Sequence, residues 1–465
     1  MYIPPLTAIS PIDGRYHNYI GSLRSIFSEF GLLKFRLKIE IKWFQALSEC
    51  PMISELEPLT DIEKKFVKNL IDNFNLKDAE RIKEIENKTQ HDVKSLEYFL
   101  KEKFSLLKSL KKKSEFIHFA CTSEDINNLA YGLILSSAKK NFILPIWKKI
   151  ICSILSFSKT NKSIPILSRT HGQPATPSTF GKETLNFAYR MMKQYKKFKK
   201  IKIFGKFNGT VGNYNAHHIA YPDFDWIDFN QKFIFNCGMH SNIFTTQIEP
   251  HDYIVEILNC ISHFNNILIN FNQDIWMYIS MNYLNKKSNS SEIGSSVMPH
   301  KINPIDFENS EGNLEISNAI SNCLSEKLPI SRLQRDLTDS TILRNIGVVI
   351  SHAFVAYKKM LNSFSKLEIN MKAIKNDLDV HWEVLSEPIQ ILMRRNKIEN
   401  SYELVRKFFQ NSKINEKNIK LFIEKLDLSE EDKKILKKIT PEKYIGLSEK
   451  IVNQFERYIK FSDIL

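Results

Sequence analysis

One polar segment, GSSVMPHKINP at residues 294–304, concentrates groups that could do acid–base chemistry. Ser295 and Ser296 follow a glycine in this segment. Lys301 and Asn303 come a few residues later, so hydroxyls, backbone N–H groups and one ammonium can converge on a ligand. Composition alone favours a solvated linker for such a serine-rich tract. The segment contains neither a Gly-x-Ser-x-Gly elbow nor a Ser-x-x-Lys pair, which argues against an acyl-transfer nucleophile.

The chemistry that fits these groups is proton abstraction. A serine can act as a base only where an electropositive pocket stabilises its alkoxide, because an unassisted hydroxyl is too weakly acidic at pH 7. His171 suits the opposite role, since it lies in the polar loop SRTHGQP and imidazole transfers protons readily near neutral pH. Removing a proton from carbon while an imidazole protonates a leaving nitrogen is a β-elimination. A purely structural role for this histidine remains an alternative.

Two further sets of residues could bind a substrate. Gln90, His91 and Asp92 form a polar cluster at the predicted start of a helix, where Asp92 can equally be a favourable first-turn carboxylate. Only 13 of the 66 basic residues are arginines, and a guanidinium can clamp carboxylates and phosphates with two hydrogen bonds. The arginines that stand in polar motifs are Arg15, Arg169, Arg335 and Arg344.

The bulk composition bounds the class of protein. With 465 residues and 43% apolar residues, the chain is expected to be globular, with two or three domains. The net charge of +14 comes without an RNP, KH, zinc-finger or arginine-rich signature, so we expect anionic small molecules rather than nucleic acid as partners. The six cysteines stand singly, which predicts neither disulfides nor a metal site. No leader and no membrane-length apolar run is apparent, which predicts a cytoplasmic protein with no membrane partner.

Long helices must position these groups. Between Ile254 and Tyr278 the apolar residues alternate at spacings of three and four, which predicts a helix of about 32 residues with a heptad seam, beginning near Pro250. Only three charged residues fall between Asp252 and Tyr283, so several neighbours are expected to bury this helix. The same spacing returns between Leu343 and Phe364. Two seams predict a long helical bundle and a mainly α fold.

Local signals predict the shorter elements and the domains. Thr122 with Asp125 predicts a capping box, and Ser178 predicts the start of another helix. The best strand signal is the turn-rich segment FGKFNGTVGNYN at 204–215. Differences in helix length and charge along the sequence predict a small N-terminal domain at 1–118, a central long-helix bundle at 119–366 and a helical C-terminal domain at 367–465.

Several blocks carry a resemblance to a known family. The segment 294–304 matches the GSSxMPxKxNP signature of the fumarase, aspartase and argininosuccinate lyase superfamily, whose members eliminate fumarate. Other blocks resemble the bacterial adenylosuccinate lyases: SRTHGQPATP (168–177), IDFENSEGN (305–313), LQRDLTDSTILRN (333–345), IDGRY near the N-terminus and QHDV (90–93). The resemblance covers about residues 10–365, and no signature position departs from it.

The resemblance implies a fold, a reaction and an assembly. The fold would be the three-domain fumarase/aspartase-like one, with the central bundle forming the multi-helix core of a homotetramer whose active sites are shared between three subunits. His171 would be the general acid, and Ser295 would be the base on a mobile loop that closes over the substrate. The implied reactions, both in purine nucleotide biosynthesis, release fumarate from adenylosuccinate and from succinyl-aminoimidazole-carboxamide ribotide, and neither needs a cofactor or a metal.

The resemblance also implies a set of substrate-binding residues. They are Arg15, Tyr16, Gln90, His91, Asp92, Thr122, Ser123, Gln247, Ser296, Lys301, Asn303, Asn309, Arg335, Ser340, Thr341 and Arg344. Two alternatives remain open. One is another fumarate-releasing lyase, such as argininosuccinate lyase, which would need no phosphate clamp near Ser340 and Arg344. The other is a non-catalytic helical scaffold or basic nucleic-acid binder, which would have no reason to retain His171, Ser295 and Lys301.

Overall fold

The structure, a computed structural model, describes residues 4–287, 297–298, 301–411 and 413–458, and helices dominate it. The first helices are α1 His17–Phe27, α2 Glu29–Ser48, α3 Asp61–Asp72, α4 Leu76–Thr89, α5 Asp92–Phe104, α6 Lys108–Lys113, α7 Ser123–Ala138, α8 Leu144–Thr160, α9 Phe180–Lys200, α10 Asn215–Ala220 and α11 Trp226–Asn236. The later ones are α12 Asp252–Ser280, α13 Ile305–Lys327, α14 Thr338–Leu343, α15 Ile346–Phe364, α16 Met371–Val380, α17 Ser386–Arg395, α18 Ser401–Asn411, α19 Glu416–Glu424, α20 Glu430–Lys438 and α21 Ser448–Tyr458. The mainly α fold is confirmed.

The strands of the described chain are short and form three two-stranded sheets. They are β1 Pro165–Thr170 antiparallel to β2 Gln173–Thr179, β3 Phe204–Gly205 parallel to β4 His240–Ser241, and β5 Leu284–Lys286 antiparallel to β6 Leu367–Ile369. The turn-rich segment FGKFNGTVGNYN contains one short strand, the two residues of β3, as its weak strand signal predicts. Gly209 and Gly212 each have a φ of +83°, so the segment turns instead of extending.

The predicted helix starts fared differently. At Thr122 the prediction is confirmed, because Oδ2 of Asp125 accepts the N–H of Thr122 at 2.9 Å and α7 begins one residue later. At Ser178 the helix is present but its cap is displaced by one residue, because Ser178 lies in β2 and Thr179 is the cap. The hydroxyl of Ser178 donates to Glu183 at 2.6 Å, while the hydroxyl of Thr179 accepts the N–H of Lys182 and α9 begins at Phe180.

Contacts divide the chain into two compact units. Unit 1 comprises Met1–Ile146, Lys197–Asn265 and Gly312–Ala356, and unit 2 comprises Trp147–Lys196, Asn266–Glu311 and Tyr357–Leu465. The unit boundaries fall inside α8, α9, α12, α13 and α15. The division into domains at 1–118, 119–366 and 367–465 stays a prediction.

The heptad seam of α12 is buried as its spacing predicts. In unit 1, Ile254, Ile257 and Ile261 are each 1% exposed, and in unit 2, Leu268 and Phe271 are equally buried. The helix has 29 residues and begins at Asp252, so it is slightly shorter than expected and Pro250 precedes it. Burial of one continuous apolar stripe is what holds such a helix in place.

Polar pairs between α12 and α13 accompany this stripe. In unit 1, the hydroxyl of Ser262 donates to Ser321 at 3.0 Å. In unit 2, Nδ2 of Asn272 donates to Oγ of Ser310, also at 3.0 Å. Buried hydrogen-bonded pairs of this kind specify one register between two helices, because a slipped register would leave the polar atoms unpaired.

Helices α7 and α8 form one helical stretch that is interrupted by a π turn at Lys139–Ile143. A π turn inserts one additional residue into an α-helix. Within the part of the chain that is described, the stretch Ser123–Thr160 is long and apolar enough to cross a membrane by length and composition alone. One such helix is weak evidence, since core helices of soluble proteins pass the same test.

Candidate active site

Gln90, His91 and Asp92 lie at the junction of α4 and α5 in unit 1. Gln90 ends α4 in the left-handed conformation, with a φ of 53°. His91 caps α5, because its Nδ1 accepts the N–H of Lys94 at 3.1 Å. Since this uses the lone pair of Nδ1, a neutral His91 carries its proton on Nε2. Its side chain is 52% exposed, so Nε2 can donate to a ligand.

Asp92 is the centre of an ion-pair network that we call the Arg344 cluster: Glu29, Arg36, Asp92 and Arg344. Oδ2 of Asp92 accepts from Nη2 of Arg36 at 2.7 Å and lies 3.5 Å from Nη2 of Arg344. Nη1 of Arg344 donates to Oε2 of Glu29 at 2.8 Å. Burial raises the pKa of Asp92, but Arg36 and then Arg344 outweigh it, so the pKa lies below its ordinary value. The carboxylate is therefore ionised at neutral pH.

Arg335 brings Gln247 and Glu124 together in unit 1. Its Nη1 donates to Oε1 of Gln247 at 3.1 Å, and its Nη2 donates to Oε1 of Glu124 at 2.9 Å. Nε2 of Gln247 in turn donates to the backbone carbonyl of Thr210 at 2.9 Å. The Glu124 side chain is 3% exposed and directly follows Ser123 in α7. Gln247 and Arg335, two residues predicted to bind substrate, thus contact each other. Arg335 also contacts the neighbour in sequence of a third predicted residue, Ser123.

Asp125 joins Thr122 to the loop that follows β3. Its Oδ2 accepts the N–H groups of Thr122 and Gly209, at 2.9 and 3.1 Å. Its Oδ1 accepts the N–H of Asn208 at 3.1 Å and lies 2.9 Å from Nζ of Lys206. Both charged side chains are fully buried, and a buried ion pair is tolerated only when further hydrogen bonds satisfy it, as they do here. This carboxylate fixes the backbone on which the predicted residue Thr122 lies.

Arg15 and Tyr16 come just before α1. Arg15 is exposed and forms no hydrogen bond or ion pair with the rest of the described chain, so its guanidinium can meet an anion. The hydroxyl of Tyr16 accepts from Nδ2 of Asn313 at 3.4 Å. Oδ1 of Asn313 lies 2.8 Å from Nδ1 of His352, and burial lowers the pKa of this histidine. Tyr16 thereby belongs to a chain of neutral polar groups.

Ser340 and Thr341 lie on the short helix α14. The N–H of Ser340 donates to Oδ1 of Asp339 at 2.7 Å. Oδ2 of Asp339 lies 3.3 Å from Nε2 of His251, which is 2% exposed and has a φ of +69°. This buried contact fixes the start of α14, while Thr341 is exposed to solvent.

Cavities in unit 1 single out one predicted residue. Arg344 and Glu29 line a cavity of about 310 Å³, together with residues of α1 and α15. A larger cavity of about 1060 Å³ is lined by the exposed Phe235 and Phe244, among others, and by none of the predicted residues in the described chain. Size alone therefore does not locate the site that the sequence predicts.

His171 lies in unit 2, at the tip of the β1–β2 hairpin. Thr170 pairs with Gln173, so His171 and Gly172 form a two-residue loop with φ values of 54° and 74°. Positive φ at both central residues is what a type I′ hairpin turn requires. His171 thus lies in a loop, as expected, but this loop is a tight turn between two strands that the sequence did not predict. The His171 side chain is exposed and makes no hydrogen bond or ion pair within the described residues.

The remaining predicted residues of unit 2 belong to the signature segment and to α13. Ser295 and Ser296 lie outside the described residues, as does most of the predicted mobile loop. Lys301 is exposed, and its N–H donates to the carbonyl of Met298 at 3.0 Å. Asn303 precedes α13 and Asn309 lies on it, both partly buried.

Sequence reasoning did not find the carboxylates that pair with the predicted arginines, Glu29 and Glu124. It also did not find His118, which stands four residues before Thr122. Nδ1 of His118 lies 2.6 Å from Oε1 of Glu40, whose side chain is fully buried. Burial lowers the pKa of His118, but Glu40 outweighs it, so the pKa lies above its ordinary value. Spacing gave no signal for any of these contacts.

Taken by itself, unit 1 presents a surface suited to an anion. Ion pairs and hydrogen bonds hold the predicted side chains of Asp92, Gln247, Arg335 and Arg344, and the side chain of Arg15 is exposed to solvent. Unit 2 presents an exposed imidazole on a tight turn and an exposed ammonium. No group of three or more His, Cys, Asp or Glu side chains that could hold a metal occurs in the ranges that the structure describes.

Comparisons with known proteins identify relatives for the full chain. A family profile described as lyase matches residues 14–316, and one described as adenylosuccinate lyase C-terminal matches residues 331–445. The chain is 53% identical over 456 residues to adenylosuccinate lyase of Buchnera aphidicola subsp. Acyrthosiphon pisum, covering 98% of this chain and 100% of the relative. It is 50% identical, with the same coverages, to adenylosuccinate lyase of Escherichia coli strain K12.

Solved structures with much lower sequence identity share the fold. The 3-carboxy-cis,cis-muconate lactonizing enzyme from Pseudomonas putida superposes with a TM-score of 0.74 at 18% identity, covering 93% of this chain and 96% of that one. The β-carboxy-cis,cis-muconate cycloisomerase from Acinetobacter calcoaceticus gives a TM-score of 0.72 at 15% identity, covering 94% and 98%. At such identities the likeness concerns the fold alone.

Proposed function

The chain belongs to the lyase family, within the group of bacterial adenylosuccinate lyases, and from this premise we propose that it catalyses β-elimination of fumarate from adenylosuccinate, giving AMP. The same reaction on succinyl-aminoimidazole-carboxamide ribotide (SAICAR) gives the corresponding carboxamide ribotide (AICAR) and fumarate. The observation that carries the proposal is identity of about one half to curated relatives of that name over 98% of this chain.

We propose that the polar residues of unit 1 bind the nucleotide part of the substrate. Adenylosuccinate carries a phosphate and two carboxylates, and guanidinium groups bind such oxyanions with paired, charge-assisted hydrogen bonds. The Arg344 cluster and the Arg335–Gln247 pair are held in place before any ligand arrives. Preorganisation of this kind lowers the entropic cost of ordering side chains on binding.

In the proposed reaction His171 is the general acid and Ser295 is the base. Ser295 takes a proton from the carbon beside a substrate carboxylate, and the electron pair left on that carbon forms the double bond of fumarate. The carbon–nitrogen bond breaks, and its electron pair stays on the nitrogen of the leaving amine, which takes a proton from the His171 imidazole. Lys301 and Asn303 would stabilise the charge that develops on the substrate carboxylate.

We further propose a homotetramer in which each active site takes segments from three subunits, and a cytoplasmic location with neither nucleic acid nor membrane as a partner. The tetramer can be tested by light scattering after gel filtration. Shared sites predict complementation: a His171→Ala variant and a Ser295→Ala variant, each inactive alone, should regain activity when their subunits are mixed and reassembled. Activity that stays absent in reassembled mixed tetramers would contradict shared sites.

The substrate is tested by following fumarate release by ultraviolet absorbance. We expect the purified protein to release fumarate from adenylosuccinate and from SAICAR. Argininosuccinate, which has no phosphate, serves as the control substrate. Release from argininosuccinate and not from adenylosuccinate would replace the proposal with the argininosuccinate lyase alternative, and no release from any of the three would favour the scaffold alternative.

A further inference from the structure

The C-terminal part of the chain contacts the hairpin that carries His171. Nη2 of Arg169 donates to Oδ2 of Asp377, on α16, at 2.6 Å. Arg169 is two residues before His171 on β1, and its side chain and that of Asp377 are 26% and 20% exposed. A charge-assisted bond between partly buried groups constrains the strand more than a solvated pair would.

The second strand of the hairpin has a contact of its own. The hydroxyl of Thr176, on β2, donates to Oε2 of Glu387, on α17, at 2.5 Å. The same carboxylate oxygen accepts from the hydroxyl of Tyr444 at 3.2 Å. Each strand is therefore held by its own carboxylate from the C-terminal part. Asp377 holds β1 before the turn, and Glu387 holds β2 after it.

Further contacts fix the position of Asp377. The hydroxyl of Tyr283, just before β5, donates to Oδ2 of Asp377. On its other side, Oδ1 of Asp377 lies 3.4 Å from Nε2 of His381, and Nδ1 of His381 lies 2.6 Å from Oε1 of Glu383. Both oxygens of the carboxylate are thus engaged, so the group that holds Arg169 has little freedom to move.

The His171 turn, residues 170–173, needs such support. A two-residue turn fixes the backbone of His171 but leaves the hairpin free to tilt as a whole. No hydrogen bond or ion pair from the other described residues holds the imidazole itself. The position of the imidazole therefore depends on how firmly β1 and β2 are held at their flanks, and a general acid misplaced by about 1 Å loses roughly a hundredfold in rate.

We propose that Asp377 and Glu387 are positioning residues for the general acid: the C-terminal part of the chain holds both strands of the β1–β2 hairpin and thereby orients His171 toward the leaving nitrogen. This inference rests on the proposed function of His171. It assigns a catalytic purpose to a region that the sequence describes only as helical and charged. Arg169 and Thr176 are the residues through which the two carboxylates act.

The main test compares Asp377→Asn with Asp379→Asn. Asp379 lies on the same helix, is exposed and forms no ion pair with the described residues, so its variant controls for loss of one negative charge on α16. We expect kcat for adenylosuccinate to fall about tenfold to a hundredfold in Asp377→Asn, with KM within about twofold of the wild-type value. Asp379→Asn should keep both parameters. Equal parameters in the two variants would overturn the proposal.

A double-mutant cycle separates positioning of His171 from a general structural role. If Asp377 acts only through the imidazole, adding Asp377→Asn to a His171→Ala variant should leave the residual rate unchanged. A further tenfold loss in that background would show that Asp377 acts elsewhere and would overturn the assignment. Asp377→Glu, which restores a carboxylate, should recover part of the lost kcat. Thr176→Val should show the same pattern with a smaller loss.

A second measurement does not depend on activity. Hydrogen–deuterium exchange of peptides that cover residues 165–179 should accelerate in Asp377→Asn and in Thr176→Val, and should match the wild type in Asp379→Asn. Unchanged exchange in the first two variants would overturn the proposal even if the rates fall. A wild-type protein that fails to release fumarate would refute the proposed function alone, because the exchange result still reports whether the carboxylates hold the hairpin.

Discussion

The Arg344 cluster in unit 1 and the His171 turn in unit 2 are built on opposite principles. In the cluster, side chains hold each other: Arg36 is 1% exposed, and Asp92 and Glu29 complete the ion pairs around Arg344. In the turn, the backbone does the positioning, through two positive φ values, and the exposed imidazole has no hydrogen-bond or ion-pair partner among the residues that the structure describes. In the cluster the polar side chains bind one another, whereas in the turn the imidazole stays available to a substrate.

The difference matches what each region is proposed to do. A binding surface gains from charges that are already ordered, because ordering them costs nothing further when the ligand arrives. A general acid must instead exchange its proton with the substrate in every turnover, and a permanent ion pair would shift its pKa and occupy its nitrogen atoms. A substrate-binding residue can therefore keep permanent ion-pair partners, whereas a general acid cannot.

The sharpest test of this contrast is His171→Ala. We expect kcat to fall by about 10²- to 10⁴-fold, because the leaving nitrogen loses its proton donor, with little change in KM. The thermal midpoint of unfolding should stay close to that of the wild type, since the side chain is exposed. Steady-state kinetics and a thermal melt provide the measurements. A near-normal kcat would remove His171 from the mechanism.

The complementary change in unit 1 is Arg335→Gln. Loss of the guanidinium should raise KM by roughly 10- to 100-fold, because a charge-assisted hydrogen bond contributes about 1.5–3 kcal/mol. It should also lower stability, since Glu124 would remain buried without its cation. Arg332, exposed and three residues away, offers the control Arg332→Gln. An effect on kcat with KM unchanged would contradict the division between binding and catalysis.

The backbone principle is tested at Gly172. Its φ is +74° and a Cβ would meet nothing within 4 Å, so Gly172→Ala introduces backbone strain of about 1–2 kcal/mol and no clash. We expect roughly a tenfold loss of kcat as the turn adjusts. Gly238, with a φ of +84° and equally open space, is the matched control, because Gly238→Ala carries the same strain outside the predicted site. If both variants lost activity equally, strain at the turn would not be the cause.

A smaller effect is expected at Glu29. Its carboxylate occupies Nη1 of Arg344, and the two side chains are 39% and 40% exposed, so solvent weakens the pair to about 0.2–1 kcal/mol. Glu29→Gln should leave Arg344 less ordered before the substrate arrives and raise KM for adenylosuccinate about two- to fivefold. Glu84→Gln, at an exposed pair of α4, is the control. A lowered KM would mean that Glu29 competes with the phosphate for Arg344 instead of orienting it.

The smallest effect is expected from pH at Asp92. Burial raises its pKa, but Arg36 and Arg344 lower it further, so the folded-state pKa lies below the ordinary 3.8. The stability that these pairs contribute is therefore present above the ordinary pKa and is lost only as pH falls through the lowered one. Denaturant unfolding of wild type and Asp92→Asn should show a constant difference between pH 5 and 8 and convergence in more acidic solution. A difference that changes near pH 6 would point to another group.

The features that were predicted most accurately from the sequence are those that repeat along a single helix. The seam of α12 follows from spacing alone, and burial at Ile254, Ile257 and Ile261 confirms it. The β1–β2 hairpin was missed because its strands contain Pro165, Pro174 and Pro177, which speak against strand, and because His-Gly is an unusual I′ turn. The family signatures, and not the periodicity, led to the predicted site residues.

Pairing between distant residues could not be predicted at all. Arg335 contacts Glu124 across 211 positions, and Arg344 contacts Glu29 across 315. No local pattern encodes such a pair, because each partner looks like an ordinary charged helix residue until the chain folds. Arg36 and Glu40 lie one turn apart on α2, where apolar and charged residues alternate, so they too gave no signal that they would be buried. Such charges survive burial only when they are paired.

The π turn at Lys139–Ile143 bears on how the length of this chain can vary. It adds one residue to the stretch Ser123–Thr160, and one residue rotates an α-helix by about 100°. The π turn absorbs this rotation, because its i→i+5 hydrogen bonds fit one more residue into a single turn. Deleting one residue between 139 and 143 would therefore restore a regular helix and leave α8 at nearly the same phase relative to α7. A one-residue gap here in a related sequence would therefore mark the loss of the π turn, with the same side chains facing inward on both sides of it, and would not mark a shortened loop.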